Sequence, residues 1–482
     1  MIGMTLAELA TIVGGTLSGA DPAVRVTGAV EFDSRQVAPG GLFVAFTGAR
    51  VDGHDFAGDA LAAGAVAVLG TRHLAGVPMV LVDDPLAAMA ALARAVVDRL
   101  TGPADDPAGD PAGGLTVVGL TGSSGKTTTK DLLAQVTSRL GPTVAPSGSL
   151  NNELGHPYTV LRAGPATRFL VMEMGARGPG HIAHLCRVAP PRIGVVLNVG
   201  VAHVGEFGSV EAIAAAKGEL VEALPPDGVA VLNLDDPRVA SMAGRTRARV
   251  VGFGTSPGAA VRARAVTLDR RGRASYKLSA PGGTAPVRLP LHGAHQVANS
   301  LAVAAVALEL GMPLPEVATA LSEVRPVSPR RMDVFDRPDR VTVIDDSYNA
   351  NPASVAAALR ALVALGRPAE GPRRRTVAVL GYLAELGHHE LAGHEEVGRL
   401  SAELGVDRLV VVGAAAAPIH HQAARSEQWG GESVLVVDQE QAVAVLAGLL
   451  RAGDVVLVKG SRYQTWDVAD WLRGPMPQEA AR

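Results

Sequence analysis

The chain has 482 residues, 48% hydrophobic and 19% charged, with a formal net charge of −3. That length accommodates about three domains, and the near-neutral balance argues against a basic nucleic-acid footprint. No run reaches the roughly 20 apolar residues of a membrane-spanning helix. The single cysteine, Cys186, excludes an intramolecular disulfide and suits a reducing cytoplasm. Residues 1–8 lack a basic n-region, so no secretory signal is expected. Only five lysines occur, at positions 126, 130, 217, 277 and 459, against 39 arginines. A chain that uses arginine for surface charge is expected to keep lysine where a compact, titratable amine is needed.

In chain order, a first domain of about 100 residues precedes residues 101–114, a Gly/Pro/Asp-rich stretch without large apolar side chains that reads as a linker. An apolar strand over 115–120 then runs into Gly119-Leu-Thr-Gly-Ser-Ser-Gly-Lys-Thr-Thr-Thr-Lys130, and a helical pattern begins at Asp131. Strand, glycine-rich turn and helix start are the context of a phosphate-binding loop. Gly122, Ser123, Ser124 and Gly125 bring backbone N–H groups onto phosphate oxygens at a helix N-terminus. Lys126 is expected to reach the β- and γ-phosphates, with Thr127 facing Mg²⁺ and Thr128 alongside. The spacing is shorter than G-x-x-x-x-G-K-[ST], because position 120 is Leu120.

Strands are expected at 169–173, 192–197 and 228–233, with helices between them, as a mostly parallel sheet requires. A short antiparallel excursion follows over 260–290, then a helix over 294–310. Strand ends in such sheets carry ligands. Glu173 ends one strand, where it reads as a metal ligand beside a Mg-nucleotide or as a solvated strand end. His203 lies just past another, as a second ligand or a loop histidine with local hydrogen bonds. In residues 209–224 the apolar positions form one helical stripe with Lys217 in its middle. Burial favours a neutral Lys217 or demands a partner; snorkelling to the surface is the alternative. A neutral amine can react with carbon dioxide to give an anionic carbamate.

A third, doubly wound domain is expected from residue 326, with strands at 340–345, 375–380, 408–412 and 454–458. Asp345 or Asp346 is placed to hold ribose hydroxyls, and Asn351 before Pro352 reads as a helix N-cap. Arg330 and Arg331 read as surface charges or as a clamp on a transferring phosphoryl group. Lys459-Gly-Ser-Arg462, after a strand, reads as an anion receptor or an ordinary turn.

Together these segments resemble the Mur ligases, most closely the MurF family of UDP-N-acetylmuramoyl-tripeptide–D-alanyl-D-alanine ligases. The resemblance runs through all three domains. It is carried by Asp33-Ser-Arg-Gln-Val and Val51-Asp-Gly-His in the first domain, and by Thr121-Gly-Ser-Ser-Gly-Lys-Thr127, Asn151-Asn-Glu-Leu-Gly, Glu173-Met-Gly-Ala and Asn198-Val-Gly-Val-Ala-His203 in the second. Phe207-Gly-Ser-Val-Glu-Ala-Ile-Ala-Ala-Ala-Lys217, His295-Gln-Val-Ala-Asn299, Arg330-Arg-Met332 and Asp346-Ser-Tyr-Asn-Ala-Asn-Pro352 complete it.

The resemblance implies an α/β fold of three domains: a UDP-binding domain (1–100), a central P-loop ATP domain with a mostly parallel sheet (115–325) and a C-terminal Rossmann-like domain (326–482). It implies an ADP-forming ligase that uses ATP and two Mg²⁺ ions. Its substrates would be UDP-MurNAc-tripeptide and D-Ala-D-Ala, joined in the cytoplasm by a monomer. Residue by residue, it implies Glu173 on the first metal, His203 on the second, and a carbamylated Lys217 assisting there. Asn299 would contact adenine, Arg331 a phosphate and Asp346 the ribose. Ser34 and Arg35, with Asp52 and His54, would hold the UDP substrate, joined by Asn151, Asn152 and Lys459. Tyr382, where MurF-like chains usually carry aspartate, and Tyr463-Gln-Thr-Trp466 depart from the pattern in the domain expected to receive the dipeptide. The alternatives are a sister ligase adding another amino group, including a folylpolyglutamate-type enzyme, and a nucleotide-dependent switch without ligase chemistry.

Overall fold

The computed structural model describes residues 2–48, 50–102, 114–201, 204–368 and 371–474, which form three main sheets and a small two-stranded ribbon. In the first unit Val30–Glu31, Gly41–Val44, Ala65–Gly70 and Met79–Leu81 run parallel, and Thr16–Ser18 pairs antiparallel at the edge. The helix Pro85–Thr101 follows, with Asp84 accepting from the Leu86 and Ala87 amides and proline opening the first turn. Residues 103–113 of the expected linker lie outside the described residues.

The second unit holds a nine-stranded sheet. Its parallel part runs, in spatial order, Thr143–Val144, Phe169–Glu173, Thr116–Thr121, Ile193–Val196, Val229–Asn233, Arg249–Gly254 and Val261–Leu268. Arg273–Ala280 and Gly283–His292 close it antiparallel, so the excursion expected over 260–290 is the sheet's edge. The helix Gln296–Glu309 is buried almost all round, as its alanine and valine side chains allow, and packs on the phosphate-loop helix. That phosphate-loop helix, Lys126–Thr137, begins five residues before the expected start at Asp131. Its opening Lys-Thr-Thr-Thr has poor helix propensity, which the left-handed entry at Gly125 and the packed surroundings override.

The third unit orders its strands Asp333–Asp336, Thr342–Asp345, Val455–Lys459, Thr376–Leu380, Arg408–Val412 and Glu432–Val436, parallel except for the first. Glu432–Val436 was not expected: it is an edge strand that opens on Glu432 and Ser433, and of its five residues only Val436 is fully buried. Asn351 caps the helix Pro352–Gly366 as expected, its side chain accepting from the Ser354 amide.

The first and second units meet at a buried polar contact. Tyr158 Oη donates to Glu31 Oε2 at 2.6 Å and accepts from Arg162, while the Tyr158 ring meets Phe32 edge-on at 4.9 Å. Replacing Tyr158 with Phe keeps the ring contact and strips the buried Glu31 carboxylate of its donor. The expected result is a loss of about 1–3 kcal/mol, read as a lower midpoint in thermal denaturation.

Candidate active site

A cavity of about 850 Å³ opens between the carboxyl ends of the second and third units' strands. One wall is the loop between Thr116–Thr121 and Lys126–Thr137: Ser123, Ser124, Gly125, Lys126, Thr127 and Thr128 all line it. Gly125 takes φ 81°, and a Cβ there would lie 2.5 Å from Asn299 Oδ1, so this position requires glycine. Asn198 braces the loop from below. Its backbone carbonyl accepts from the Ser123 amide at 3.0 Å, and its side chain accepts from the Ser124 amide at 2.9 Å and donates to the Ser124 carbonyl at 3.1 Å. Gly122 packs where a Cβ would meet Leu197, and its carbonyl accepts from Lys126 Nζ at 2.8 Å. Burial pushes the Lys126 pKa below its usual value, with the Glu173 charge opposing.

Glu173 is buried at the end of its strand. Its Oε1 accepts from Asn151 Nδ2 at 2.6 Å, and its Oε2 is buried with no partner among the described residues. Glu173 and Thr127 line the same cavity, and a carboxylate oxygen with a hydroxyl is the kind of hard-oxygen donor set that Mg²⁺ takes. Lys217 sits behind this wall on the helix Val210–Glu222, on the buried face with Ile213, Leu220 and Val221. Of the two readings of Lys217 the structure takes the buried one. Burial, then the neighbouring Lys126 charge, pull its pKa well down, and no acidic group among the described residues opposes them. His203 lies outside the described residues.

The opposite wall comes from the third unit, and it resolves two choices left open by the sequence. Asp345 faces away, bonded to Ser347 and Arg473, whereas Asp346 lines the cavity. Arg330 is tied to Asp470 at 2.7 Å with its guanidinium over Trp466, whereas Arg331 lines the cavity and donates to Thr127 Oγ1 across the units at 3.4 Å. Each Asp346 oxygen is anchored: Oδ1 accepts from the Met332 amide at 3.0 Å, and Oδ2 from Lys459 Nζ at 2.5 Å. Lys459 also donates to the Asp346 and Asn349 carbonyls, which occupies all three of its N–H donors. Tyr348 Oη bonds Ser149 Oγ across the units at 2.8 Å. Tyr382 bonds Glu390 through its hydroxyl at 2.9 Å and stacks on His394.

Other expected residues take supporting places. Asn299 lines the cavity beneath Gly125 and donates to Gln296 Oε1 at 2.9 Å. Asn152 accepts from the Gly155 amide at 2.9 Å, holding the turn into the next helix. Ser34, Arg35, Asp52 and His54 stand apart on the first unit and are not among the lining residues. Arg35 is exposed and forks onto Asp33. His54 is buried between Asp52, 2.6 Å from Nδ1, and the Thr71 amide, which donates to Nε2 at 3.0 Å. The His54 amide and ring hold the Asp52 carboxyl at about 2. Asn198, Ser149 and Tyr348 were given no role from the sequence; two of them stand just past strand ends, which is the signal that marks them.

Three family profiles match the chain: Mur ligase family, catalytic domain, over residues 27–96; Mur ligase middle domain over 120–307; and Mur ligase, glutamate ligase domain, over 330–462. The UDP-N-acetylmuramoyl-tripeptide–D-alanyl-D-alanine ligase of Mycobacterium tuberculosis is 49% identical, with 96% of each chain covered. That of Escherichia coli is 36% identical over the same share of both. Among solved structures, MurF from Acinetobacter baumannii superposes with a TM-score of 0.85 at 30% identity, covering 97% of both chains. MurF from Thermotoga maritima in complex with ADP gives 0.76 at 31% identity, covering 91% of this chain and 95% of the other.

The glycine requirement in the phosphate loop is directly testable. Gly125→Ala places a methyl against Asn299 in a left-handed backbone that alanine disfavours by about 1–2 kcal/mol. Nucleotide affinity measured by calorimetry is expected to fall at least tenfold.

Proposed function

The chain belongs to the Mur ligase family, and we propose that within it the chain joins D-alanyl-D-alanine to UDP-N-acetylmuramoyl-tripeptide in peptidoglycan precursor synthesis. It is an ADP-forming carbon–nitrogen ligase that uses ATP. The observation that carries this reading is the single cavity in which the phosphate loop faces Asp346, Arg331 and Tyr348 of the third unit. A nucleotide switch has no need of a second wall placed to receive a carboxylate and an amine. Identity of 49% over nearly the whole length of the ligase from M. tuberculosis supports this acceptor over those of the sister enzymes.

The carboxylate ending the nucleotide-linked tripeptide attacks the γ-phosphate of ATP, giving an acyl phosphate and ADP. The dipeptide amine then attacks the acyl carbon, and collapse of the tetrahedral intermediate expels phosphate. Attacking carboxylate and phosphoryl group are both anionic, so the first step needs positive groups fixed around them. The loop amides cradle the phosphates. Lys126, bonded to the Gly122 carbonyl within the loop, is read as the cation on the γ-phosphate, with Arg331, bonded to Thr127 from the third unit, as its partner.

Glu173 and Thr127 would hold Mg²⁺, which supplies charge neutralisation on the phosphates. His203 and a carbamylated Lys217 are read as the ligands of a second ion. Carbamylation removes the positive charge that Lys217 sets against Lys126 and replaces it with an attractive one, which favours the reaction in a site so depleted of acids around that amine. Asp346, fixed by Lys459, keeps lone pairs for ribose hydroxyls. Asn299, beneath Gly125, is read as the adenine contact. Ser34, Arg35, Asp52 and His54 belong to the surface that takes the UDP portion, with Asp52 and His54 stiffening it.

The domains are read as 1–100, 115–325 and 326–482, a division supported by the spans of the three profiles and the three sheets. No helix among the described residues is long and apolar enough to cross a membrane. We place the reaction in the cytoplasm, where ATP is available.

Phosphate release from ATP in the presence of UDP-MurNAc-tripeptide is expected to require D-Ala-D-Ala, and equal release with no acceptor would refute the ligase reading. For the carbamate, a distinct ¹³C resonance is expected when the protein is equilibrated with ¹³C-bicarbonate. Lys217→Ala is expected to lose that signal and at least 99% of activity, about 3 kcal/mol of transition-state stabilisation, with partial rescue by short carboxylic acids. A persistent signal in the variant would place the modification elsewhere.

A further inference from the structure

The loop 460–465, after the strand Val455–Lys459, carries a cation that the chain leaves uncommitted. Arg462 lines the cavity and makes no ion pair among the described residues; its polar contact is one long bond, 3.5 Å, to Ser149 Oγ. A guanidinium offers five N–H donors in a fixed fork, so most of those on Arg462 are unspent. The group is nevertheless held in place. Its Cζ lies over the Tyr348 ring at 4.9 Å, the same ring that carries Arg331 at 4.1 Å. The loop itself is fixed by Ser461, whose amide donates to the Tyr382 carbonyl at 2.9 Å and whose hydroxyl accepts from the Ala384 amide at 2.8 Å. Tyr463 turns the chain with φ 68°, a conformation rare outside glycine, its ring against Trp466.

Two guanidiniums on one tyrosine repel each other, and neither has a carboxylate partner among the described residues, so each is suited to an anion of the substrates. Arg331, at Thr127, stands on the phosphate side. Contacts of 3.4, 4.1 and 4.9 Å lead from Thr127 through Arg331 and Tyr348 to Arg462. An extended dipeptide spans roughly 7 Å. An acceptor whose amine meets the acyl phosphate near Arg331 therefore ends with its carboxylate in reach of Arg462.

We propose that Arg462 binds the C-terminal carboxylate of the incoming dipeptide and selects a free acid at that end, with Tyr348 fixing the plane of the guanidinium. This rests on the acceptor reading above. The test is steady-state kinetics with D-Ala-D-Ala and with its C-terminal amide, for the wild-type protein, Arg462→Met and Arg462→Lys. Wild type is expected to prefer the acid. Arg462→Met is expected to raise KM for the acid about 10- to 100-fold, the worth of a charged hydrogen-bonded pair, and to use acid and amide alike. Its KM values for ATP and the nucleotide-peptide are expected to stay within about twofold. Arg462→Lys, which keeps the charge and loses the fork, is expected to fall between. An acid preference that survives in Arg462→Met, or a rise confined to the nucleotide-peptide KM, overturns the assignment. Wild-type protein that consumes ATP yet ligates neither acceptor overturns the acceptor reading itself.

Discussion

The Asp346 carboxylate is the contact on which the geometry of the site depends. It ties together three places far apart in the chain: the Met332 amide at the junction of the second and third units, the Lys459 ammonium at the end of a central strand, and the cavity wall. Breaking such a buried pair by removing one partner typically costs about 3–5 kcal/mol, which suits a contact that must not drift. Met332 and Arg330 both take left-handed backbone conformations, with φ 51° and 58°, on either side of Arg331. That backbone persists because the Asp346 side chain accepts from one flanking amide and the Tyr348 amide donates to the Arg330 carbonyl. The strain serves to aim Arg331 at Thr127.

The sparing use of lysine follows the same logic. Lys130, Lys217 and Lys459 are buried, Lys126 lines the cavity, and Lys277 alone is exposed. Each of the first four does what an arginine fork does badly. Lys130 bonds its neighbour Asp131 and reaches the Pro146 carbonyl at 2.7 Å, pinning the segment that carries Ser149 and Asn151 into the cavity. Lys459 satisfies three oxygens from one point. Lys217 and Lys126 have pKa values pulled down by burial, a shift open to an amine and closed to a guanidinium.

What the sequence revealed was local. The phosphate loop, the capped helix at Asn351 and the inward face of Lys217 each follow from residues within one or two turns of one another. What stayed hidden was either weakly patterned or long-range. The edge strand Glu432–Val436 is short and mostly half-buried or exposed, and the threonine run at 127–129 disguises the first turn of a helix. The choices between Asp345 and Asp346, and between Arg330 and Arg331, depend on partners such as Arg473, Asp470 and Lys459, more than a hundred residues away. Local periodicity carries no record of such pairings. The same applies to His54, whose bridging of Asp52 and the Thr71 amide leaves no trace in the local pattern.

The two junctions between units differ in their contacts. The first joins the second through a short, buried hydrogen bond from Tyr158 to Glu31 and an aromatic contact. Among the described residues the third meets the second through Tyr348 to Ser149 at 2.8 Å, an exposed ion pair of Arg271 with Asp336 at 3.2 Å, and longer contacts: Arg331 to Thr127 at 3.4 Å, Arg462 to Ser149 at 3.5 Å and the Gly205 amide to the Glu385 carbonyl at 3.3 Å. Bonds that long contribute little each. Arg331 and Arg462 at that seam both point at a space where phosphoryl and carboxylate groups would bind. Anions bound in that space would add charged hydrogen bonds from both units to the contacts the chain makes by itself.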